Sequence, residues 1–218
     1  MLFRHEKTFF NRVPIFVRVK DTDANLAARA KELDAFVVDY VGIKLHLDGI
    51  AIENASGDAG KFAAAVEAVR GASDFPLILI AKDPAAFEAA MAKAKGAAPL
   101  FYAADASNLA AMAAVAKKFK APLAVKGDGL EATADLAGQA KAAGIEDIVL
   151  DPGARDFLST LTLATQIRRL AVKKNFRPLG YPVITFPGEG VSSPDEEPVL
   201  AAQHIGKYAG FVVLDHFT

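Results

Sequence analysis

Short apolar runs alternate with alanine-rich stretches along the whole chain. Runs rich in Val, Ile, Leu or Phe recur every 23 to 35 positions, and they begin near Ile15, Gly49, Pro76, Pro99, Pro122, Asp147, Pro182 and Phe211. Continuous apolar runs of this kind are typical of parallel strands that are covered on both faces. The pattern therefore predicts a single domain over residues 1–218, folded as a (β/α)8 or TIM barrel.

The stretches between the runs have the period of helices. Apolar residues recur three and four positions apart in residues 61–70, 85–95, 109–119 and 131–143. Helix starts are indicated by Asp83-Pro84, by Asp128 with Glu131, and by residues 193–196. Helix ends are indicated by Gly71, Gly96 and Gly144. Residues 33–46 fit either a helix that continues to Tyr40 or an extra strand.

The two ends of the sequence each lead to a structural prediction. Phe3, Phe9 and Phe10 belong to a segment, residues 1–14, that is expected to cover the bottom of the barrel. The sequence stops at Thr218, directly after the eighth run and before an eighth helix. We therefore expect a piece of a longer protein, with apolar surface on the order of several hundred Å² uncovered on the outer faces of strands one and eight. An isolated chain with such a surface is expected to aggregate.

Composition excludes several classes of function. The 25 Lys and Arg residues balance 26 Asp and Glu residues, so no net field directs the chain to nucleic acid or to an anionic membrane. Cysteine is absent, which excludes disulfides and metal clusters held by the chain's own thiolates. No signal peptide and no apolar run of about 18 residues is present, and this predicts a cytoplasmic protein without a membrane segment.

In a barrel of this kind the functional residues lie at the carboxyl ends of the strands. The pattern places there Asp21, Thr22, Asp23, Glu53, Asn54, Lys82, Asp83, Asp105, Lys126, Asp128, Asp151, Arg155, Asp215 and His216, with the loop at 186–190. For four of these aspartates, namely Asp23, Asp83, Asp105 and Asp128, a capping role in a helix or turn is the favoured interpretation.

Asp151-Pro152-Gly153 is the sharpest local signal. An aspartate at the end of a buried strand can accept hydrogen bonds from the ring NH and the amine of a heterocycle. The same three residues also form an ordinary turn, and both interpretations stay open. In the first interpretation, Asn54 would help Asp151 to hold a pterin.

Other chemistry finds less support. The four histidines, at positions 5, 46, 204 and 216, show no spacing for a zinc site, and no metal site is predicted. No Gly-x-Ser-x-Gly sequence is present for a nucleophilic serine. Gly188-Glu189-Gly190 lacks the lysine and spacing of a phosphate loop, so a loop hinge is the first interpretation. His216, beside Asp215 at the mouth, is either a hydrogen-bonded structural residue or a general base.

Four segments together are similar to one known family. They are residues 3–11 (FRHEKTFFN), 47–51 (LDGIA), 149–153 (VLDPG) and 184–190 (ITFPGEG). Over essentially its whole length, the chain resembles the large (gamma) subunit of the corrinoid/iron–sulfur protein of the acetyl-CoA decarbonylase/synthase (Wood–Ljungdahl) pathway. The resemblance implies an N-terminal domain with a 4Fe–4S cluster held by four cysteines, a central barrel, and a C-terminal Rossmann-like domain that holds the cobamide. This chain matches the central barrel.

The resemblance also implies a methyl relay. In the family, the cobamide accepts a methyl group from a methyl-tetrahydropterin or methyltetrahydrofolate through a methyltransferase and passes it to acetyl-CoA synthase. The small (delta) subunit, another barrel, pairs with the large subunit. The residues that hold the cobamide lie mainly beyond Thr218, and only Asp215 and His216 border that missing domain. The chain alone is therefore expected to be a scaffold that binds no cofactor and performs no chemistry.

Two other functions stay open from the residues. A pterin-binding barrel of the methyltransferase type would use Asp151 and Asn54, with Lys82, Lys126 or Arg155 as a basic residue at the mouth. A sugar-phosphate enzyme would use the glycine-rich stretch at 188–190, which follows strand seven.

Overall fold

The computed structural model describes residues 12–94, 96 and 98–217. It contains eight parallel strands that form one sheet, and a separate antiparallel pair. In chain order the strands are β1 (Ile15–Lys20), β2 (Val37–Tyr40), β3 (Ile43–His46), β4 (Gly49–Glu53), β5 (Leu77–Ile80), β6 (Leu100–Ala104), β7 (Leu123–Lys126), β8 (Ile148–Asp151), β9 (Ile184–Thr185) and β10 (Phe211–Leu214). The predicted (β/α)8 barrel is confirmed, and each of its strands lies within two residues of the predicted start.

The barrel strands follow the order β8-β7-β6-β5-β4-β1-β10-β9. The two ends of this row approach each other, but β8 and β9 share a single bridge, between Leu150 and Val183. This bridge includes the hydrogen bond from Leu150 N to the Pro182 carbonyl at 2.8 Å. We call this line the β8–β9 seam. The barrel is therefore nearly closed, and its weakest backbone pairing lies at the seam.

Helices cover the outside of the strands. They are α1 (Leu26–Ala35), α2 (Ala59–Ala72), α3 (Pro84–Met91), α4 (Leu109–Phe119), α5 (Gly129–Ala142), α6 (Phe157–Lys173) and α7 (Glu197–Gly206). The four helices predicted from periodicity are confirmed, although α3 ends at Met91, before the predicted limit. Short 3-10 turns at 177–179, 187–190 and 194–196 complete the loops around α6 and α7.

The capping predictions have mixed outcomes. Asp83 caps α3 as predicted, because its Oδ1 accepts from Ala85 N at 2.9 Å. Asp128 occupies the N-cap of α5, so the predicted helix start is confirmed, but its side chain accepts no capping hydrogen bond. Gly71 lies inside α2 without a positive φ, and Ser73 follows that helix instead. Asp105 and Asp23 bond to backbone amides in turns, at Ser107 and Lys20.

In residues 33–46 the predicted alternative of an extra strand is confirmed, as two short strands, and the alternative of a helix that continues to Tyr40 is wrong. Helix α1 ends at Ala35, and the antiparallel hairpin β2–β3 follows it. The hairpin exists because β-branched and aromatic residues dominate residues 37–45 and a tight turn separates them. It forms no hydrogen-bonded pairing with the barrel sheet.

The core has two layers. Inside the barrel, alternate residues of the strands meet, among them Phe16, Ile78, Tyr102, Val149 and Phe186. A larger apolar layer fills the space between the outer faces of the strands and the helices. Alanine supplies much of the helix side of that layer, which lets helices pack close to the sheet.

The outer faces of β1 and β10 are covered, contrary to the prediction. The side chains of Val17, Val19 and Val212 are each at most 4% exposed. Phe217 packs edge to face on Phe36, with ring centroids 4.7 Å apart, and helps to cover this region. The exposed apolar surface from which aggregation was expected is therefore not present on these two strands. The predicted role of Phe3, Phe9 and Phe10 at the barrel bottom lies outside the described residues.

Candidate functional site

A cavity of about 810 Å³ opens at the carboxyl ends of the strands, where the fold predicts functional residues. Its lining includes Arg18, Glu53, Asn54, Ser56, Lys82, Asp83, Tyr102, Asp105, Lys126, Asp128 and Glu189. The cavity thus brings together seven of the fourteen polar residues that the sequence placed at the strand ends. Two strand residues with inward side chains, Arg18 and Tyr102, were not among them.

Asp151 lies completely buried beside this cavity. Its Oδ2 accepts from the Tyr102 hydroxyl at 2.5 Å and from Arg155 Nη2 at 2.8 Å. Its Oδ1 accepts from Gly153 N at 2.8 Å and from Arg155 Nη1 at 3.0 Å. A heterocycle can hydrogen-bond to this carboxylate only by displacing one of these donors. The structure shows the turn interpretation of Asp151-Pro152-Gly153, because Gly153 N donates to the Asp151 carboxylate as such a turn requires.

A chain of alternating charges continues from Asp151 across the mouth. Arg155 Nε donates to Glu189 Oε2 at 2.5 Å, and Glu189 Oε1 accepts from Arg18 Nη1 at 2.7 Å. Arg18 Nη2 then donates to Asp215 Oδ2 at 2.5 Å. We call these five residues the mouth network. It spans the loops after β8 and β9 and reaches β1 and the end of β10.

Burial and charge shift the proton affinities within the mouth network. Burial alone would raise the pKa of Glu189, but the hydrogen bonds and charges of Arg155 and Arg18 outweigh it and hold that pKa below its ordinary value. Burial, together with the charge of Asp151, raises the pKa of Tyr102. Glu189 is therefore a stable anion and Tyr102 a stable hydrogen-bond donor, and neither is prepared to exchange protons near neutral pH.

Arg18 has a third acidic neighbour in Glu53. The Arg18 Nε to Glu53 Oε2 distance is 3.7 Å, which is an ion pair without a hydrogen bond. Glu53 Oε2 and Asp215 Oδ1 are both buried and accept no hydrogen bond. The Arg18 guanidinium thus balances carboxylates from three strand ends. One oxygen of Glu53 and one of Asp215 still accept no hydrogen bond.

The turn at Pro187–Gly190 carries Glu189 over the mouth. A Cβ at residue 188 would lie 2.6 Å from Asp215 Cβ, and one at residue 190 would lie 1.9 Å from the Arg155 carbonyl oxygen. Glycine is required here because the turn packs against the protein's own atoms. The structure offers this explanation in place of a phosphate loop, and the turn closes the mouth network.

Asp215 and His216 lie where the sequence placed them, directly after β10. Glu197, buried at the start of α7, accepts from Asp215 N at 2.7 Å and from His216 N at 2.8 Å. The His216 ring also bonds to it, with Nδ1 to Glu197 Oε2 at 3.0 Å. His216 is thus a hydrogen-bonded residue, and Asp215 is an ion-pair partner of Arg18. Glu197 was missed because no helix-start motif indicates a carboxylate that reaches a strand end.

Asn54 follows β4, which lies four positions from β8 and Asp151 in the strand order. Its backbone N donates to the Ile80 carbonyl at 2.8 Å, and its Oδ1 lies 3.4 Å from Ser56 Oγ. The side chain lines the cavity together with Lys82 and Lys126, whereas Asp151 has no exposed surface. The structure therefore does not present Asn54 and Asp151 to the cavity together.

The inward positions of Arg18 and Tyr102 could have been predicted from the alternation of inward and outward residues along their strands. In residues 15–20, Phe16 and Arg18 alternate with Val17 and Val19, so both former side chains point into the barrel. Treating the run as uniformly apolar concealed this alternation. Tyr102 occupies the equivalent inward position in β6.

The residues present do not fit the cofactors that the resemblance implies. The sequence has no cysteine with which to hold an iron–sulfur cluster. Among the residues that the structure describes, no group of three His, Asp or Glu side chains is placed to hold a metal ion. Asp215 and His216, the two residues expected to border the missing cobamide-binding domain, bind Arg18 and Glu197.

Comparison with known proteins decides the family. The model of the CO dehydrogenase/acetyl-CoA synthase delta subunit family matches residues 1–217.

This chain belongs to that family.

Relatives in the family support the resemblance seen in the sequence. The corrinoid/iron–sulfur protein large subunit of Moorella thermoacetica is 40% identical over 215 residues, covering 98% of this chain and 48% of the relative. The acetyl-CoA decarbonylase/synthase complex subunit gamma 1 of Methanosarcina mazei is 34% identical over 229 residues, with the same two coverages. The chain spans about half the length of the curated relatives it matches. The family description names a delta subunit, whereas these relatives are named large or gamma subunits.

Solved structures confirm the fold independently of the family. A dihydropteroate synthase from Coxiella burnetii, in complex with pteroic acid, aligns with a TM-score of 0.64 and 12% identity, covering 99% of this chain and 92% of that one. At this identity the likeness concerns the barrel alone. None of the helices within the described residues is long and apolar enough to cross a membrane.

Proposed function

We propose that this chain is the barrel of a corrinoid/iron–sulfur large subunit and that it acts as a scaffold for methyl transfer in the acetyl-CoA pathway. In this proposal the barrel holds the parts of the complex that carry the cobamide and the 4Fe–4S cluster. The methyl group passes from a methyl-tetrahydropterin or methyltetrahydrofolate, through a methyltransferase, to the cobamide and then to acetyl-CoA synthase. The small (delta) subunit pairs with this chain, and the complex works in the cytoplasm.

The mouth network is the observation that carries the scaffold role. A barrel enzyme keeps strand-end groups free to meet a substrate. Here Asp151 accepts four hydrogen bonds from the protein itself, and Arg18 and Arg155 are each held by carboxylates. The groups best suited to catalysis therefore stabilise the barrel, which agrees with a subunit whose relatives are named as parts of a corrinoid protein or complex.

Two measurements test the scaffold role. Intact mass and a visible spectrum of the purified protein establish whether the chain is joined to coloured cofactor domains. Sedimentation velocity with the purified small subunit then measures whether the two associate, and charge-reversed variants of exposed residues supply the specificity control. We expect a stoichiometric complex with the small subunit. A chain that stays separate from it at micromolar concentrations contradicts the proposal.

A pterin-binding barrel is the second candidate, and the cavity is the observation that favours it. Its volume, about 810 Å³, suits a bound heterocycle, and Asn54, Lys82 and Lys126 line it. Calorimetric titration with methyltetrahydrofolate separates the two functions. The scaffold role predicts no binding in the micromolar range. Binding that Asn54→Ala abolishes, and that the matched change Asn25→Ala outside the cavity leaves intact, would establish the pterin function instead.

A further inference from the structure

The charges of helices α6 and α7 are unlike those of the rest of the chain. Residues 157–188 contain five Lys and Arg residues and no Asp or Glu. Residues 198–214 contain one Lys and no acidic residue. The whole chain, by contrast, has a formal net charge of -1. Positive charge is therefore concentrated in one part of a nearly neutral protein.

Three of these cations lie at the C-terminal end of α6. Arg169 and Lys173 are four residues apart, so their side chains project from the same face of the helix. Lys174 follows at the C-cap, and all three side chains are exposed. A cation near a helix C-terminus interacts favourably with the helix dipole. The dipole accounts for cations at this place, but it does not account for the lack of acidic residues around them.

Helix α7 ends beside them. Lys207 occupies the C-cap of α7, and Tyr208 follows it. The guanidinium carbon of Arg168, in α6, lies 3.7 Å from the centre of the Tyr208 ring. This cation–π contact joins the C-terminal ends of the two helices, so their cations share one surface. We call the five residues Arg168, Arg169, Lys173, Lys174 and Lys207 the basic surface.

Most cations of the basic surface have no carboxylate partner. Within the described residues, Arg169, Lys173, Lys174 and Lys207 form no ion pair. On the side of the barrel that α1 to α4 cover, exposed cations do pair with carboxylates. The pairs are Arg29–Glu32, Arg70–Asp74, Lys93–Glu67 and Lys118–Glu88. Acidic residues therefore balance the cations on one side of the barrel, whereas the other side stays positive.

The dimensions of the basic surface favour carboxylates that are carried by a protein. Its cations extend over about 9 Å along α6 and about 10 Å across to α7, which is shorter than a groove for several nucleotides. Exposed Lys side chains on flexible stems do not fix the geometry of a small anion. Acidic side chains four residues apart on a partner helix have the same spacing as Arg169 and Lys173.

We propose that the basic surface docks the acidic surface of a protein that binds transiently. Lysine is depleted in the buried cores of protein interfaces, and lasting interfaces are more apolar than this surface. Opposite charges across an exposed surface instead accelerate association, and salt weakens their attraction. The small subunit, as a lasting partner, is therefore not the occupant. The acidic partner is a further protein, and its docking does not depend on the scaffold role.

Fluorescence anisotropy with labelled poly-L-glutamate tests the docking site. We expect the purified protein to bind this probe at an ionic strength of about 0.02 M and to lose at least about tenfold in affinity at about 0.3 M. The double variant Arg169→Glu with Lys173→Glu should bind at least about tenfold more weakly at the lower ionic strength.

The control is the double variant Lys93→Glu with Lys118→Glu. It changes the net charge by the same amount, but on the side of α3 and α4 where cations are already paired. Its affinity for poly-L-glutamate should stay within about twofold of the wild type. Equal losses in the two double variants overturn the proposal, because the probe would then respond to net charge alone. Absence of binding by the wild type at the lower ionic strength overturns it as well.

Two further measurements cover misfolding and a different ligand. If Arg169→Glu with Lys173→Glu fails to fold, Arg169→Gln with Lys173→Gln removes the charges without reversing them and should weaken binding by at least about threefold. Unchanged binding in this variant overturns the proposal. A single-stranded oligonucleotide with the same number of charges is the competing probe. If it binds more tightly than poly-L-glutamate, the basic surface is a nucleic-acid site and the proposal is overturned.

The small subunit provides the last comparison. The poly-L-glutamate titration is repeated with the chain in complex with the small subunit, and we expect an unchanged affinity. Loss of binding in the complex would mean that the small subunit covers the basic surface, which overturns the proposal. Failure of that complex to form contradicts the scaffold role alone, because titration of the chain by itself still tests the docking site.

Discussion

Asp151 is held by residues from two parts of the chain, strand β6 and the connection between β8 and α6. Tyr102 comes from β6, Gly153 from the turn after β8, and Arg155 from the loop that leads into α6. The strand-end position of Asp151 follows from the apolar run before it and could be predicted. Its partners could not, because Arg155 lies four residues later in a loop, where no helical periodicity relates the two side chains.

Replacing Asp151 tests how much this carboxylate stabilises the barrel. Asp151→Asn leaves the partly buried Arg155 with one carboxylate fewer, and we expect the free energy of unfolding to fall by about 3 kcal/mol. Asp74→Asn makes the same change in the exposed pair with Arg70 and should cost less than about 1 kcal/mol. Urea denaturation measures both. Equal losses would mean that the mouth network adds no stability.

His204 predicts a dependence of stability on pH. Burial, and after it the charge of Arg155, lowers the pKa of His204 from 6.5 to about 4. The unfolded chain binds a proton at this residue near pH 6.5, whereas the folded protein does not until about pH 4. Acidification between these values therefore favours unfolding, by an amount on the order of 3 kcal/mol.

Urea denaturation between pH 7 and pH 4 is the measurement for His204. His204→Gln, which cannot take up a proton, should flatten the fall in stability over this window. His46→Gln, at an exposed histidine, is the control and should leave the slope unchanged. An unchanged slope in His204→Gln would contradict the assignment.

Helix α7 and strand β10 are joined by one carboxylate. Glu197→Ala removes the acceptor of the Asp215 and His216 amides, and both would then lack a partner. We expect a loss of about 3 kcal/mol in unfolding free energy and at least about tenfold faster hydrogen exchange at these amides. Asp195→Ala, at an exposed acid two residues earlier, should change neither. Unchanged exchange at residues 215 and 216 would show that Glu197 does not hold the strand end.

Replacing a glycine by alanine should have opposite effects on stability at Gly190, in the turn over the mouth, and at Gly138, in helix α5. Gly190→Ala sets a methyl group against the Arg155 carbonyl oxygen, and we expect a loss of about 2 kcal/mol or more. Gly138→Ala lies inside α5 with open space around it, so it should stabilise the protein by about 0.5 to 1 kcal/mol. Thermal unfolding compares the two. A neutral Gly190→Ala would mean that the turn moves away from Arg155 at little cost.

Elements were predictable where one period dominates the sequence. Helix α4 matches its predicted bounds because apolar residues recur at helical spacing throughout residues 109–119. The region after α1 was ambiguous because Val37, Val38 and Tyr40 satisfy both a helical and an extended pattern. The register of the hairpin decides between them, and register depends on a turn at Val41 and Gly42 that propensity does not favour.

At the scale of the whole molecule, the barrel could be predicted and the mouth network could not. Eight apolar runs with helical stretches between them are enough to indicate the fold. The mouth network joins Arg18 to Glu189 and to Asp215, which are 171 and 197 positions away. To predict such pairs, one must know both the order of the strands around the barrel and which residues of each strand point inward. An error in either makes the pairs impossible to predict. The burial of Val17 was missed for a related reason, since Phe217, which packs against its cluster, lies after the last predicted strand.

The β8–β9 seam has a consequence for how the barrel responds to its solvent. Because only one bridge joins these strands, the ion pair of Arg155 with Glu189 contributes to holding the loops after β8 and β9 together. Both side chains are partly exposed, at 18% and 32%, so dissolved salt weakens their attraction, whereas it hardly affects a backbone ladder. We therefore expect ionic strength to control how often the barrel opens at this line, while the opposite wall, around β4 and β5, stays shut.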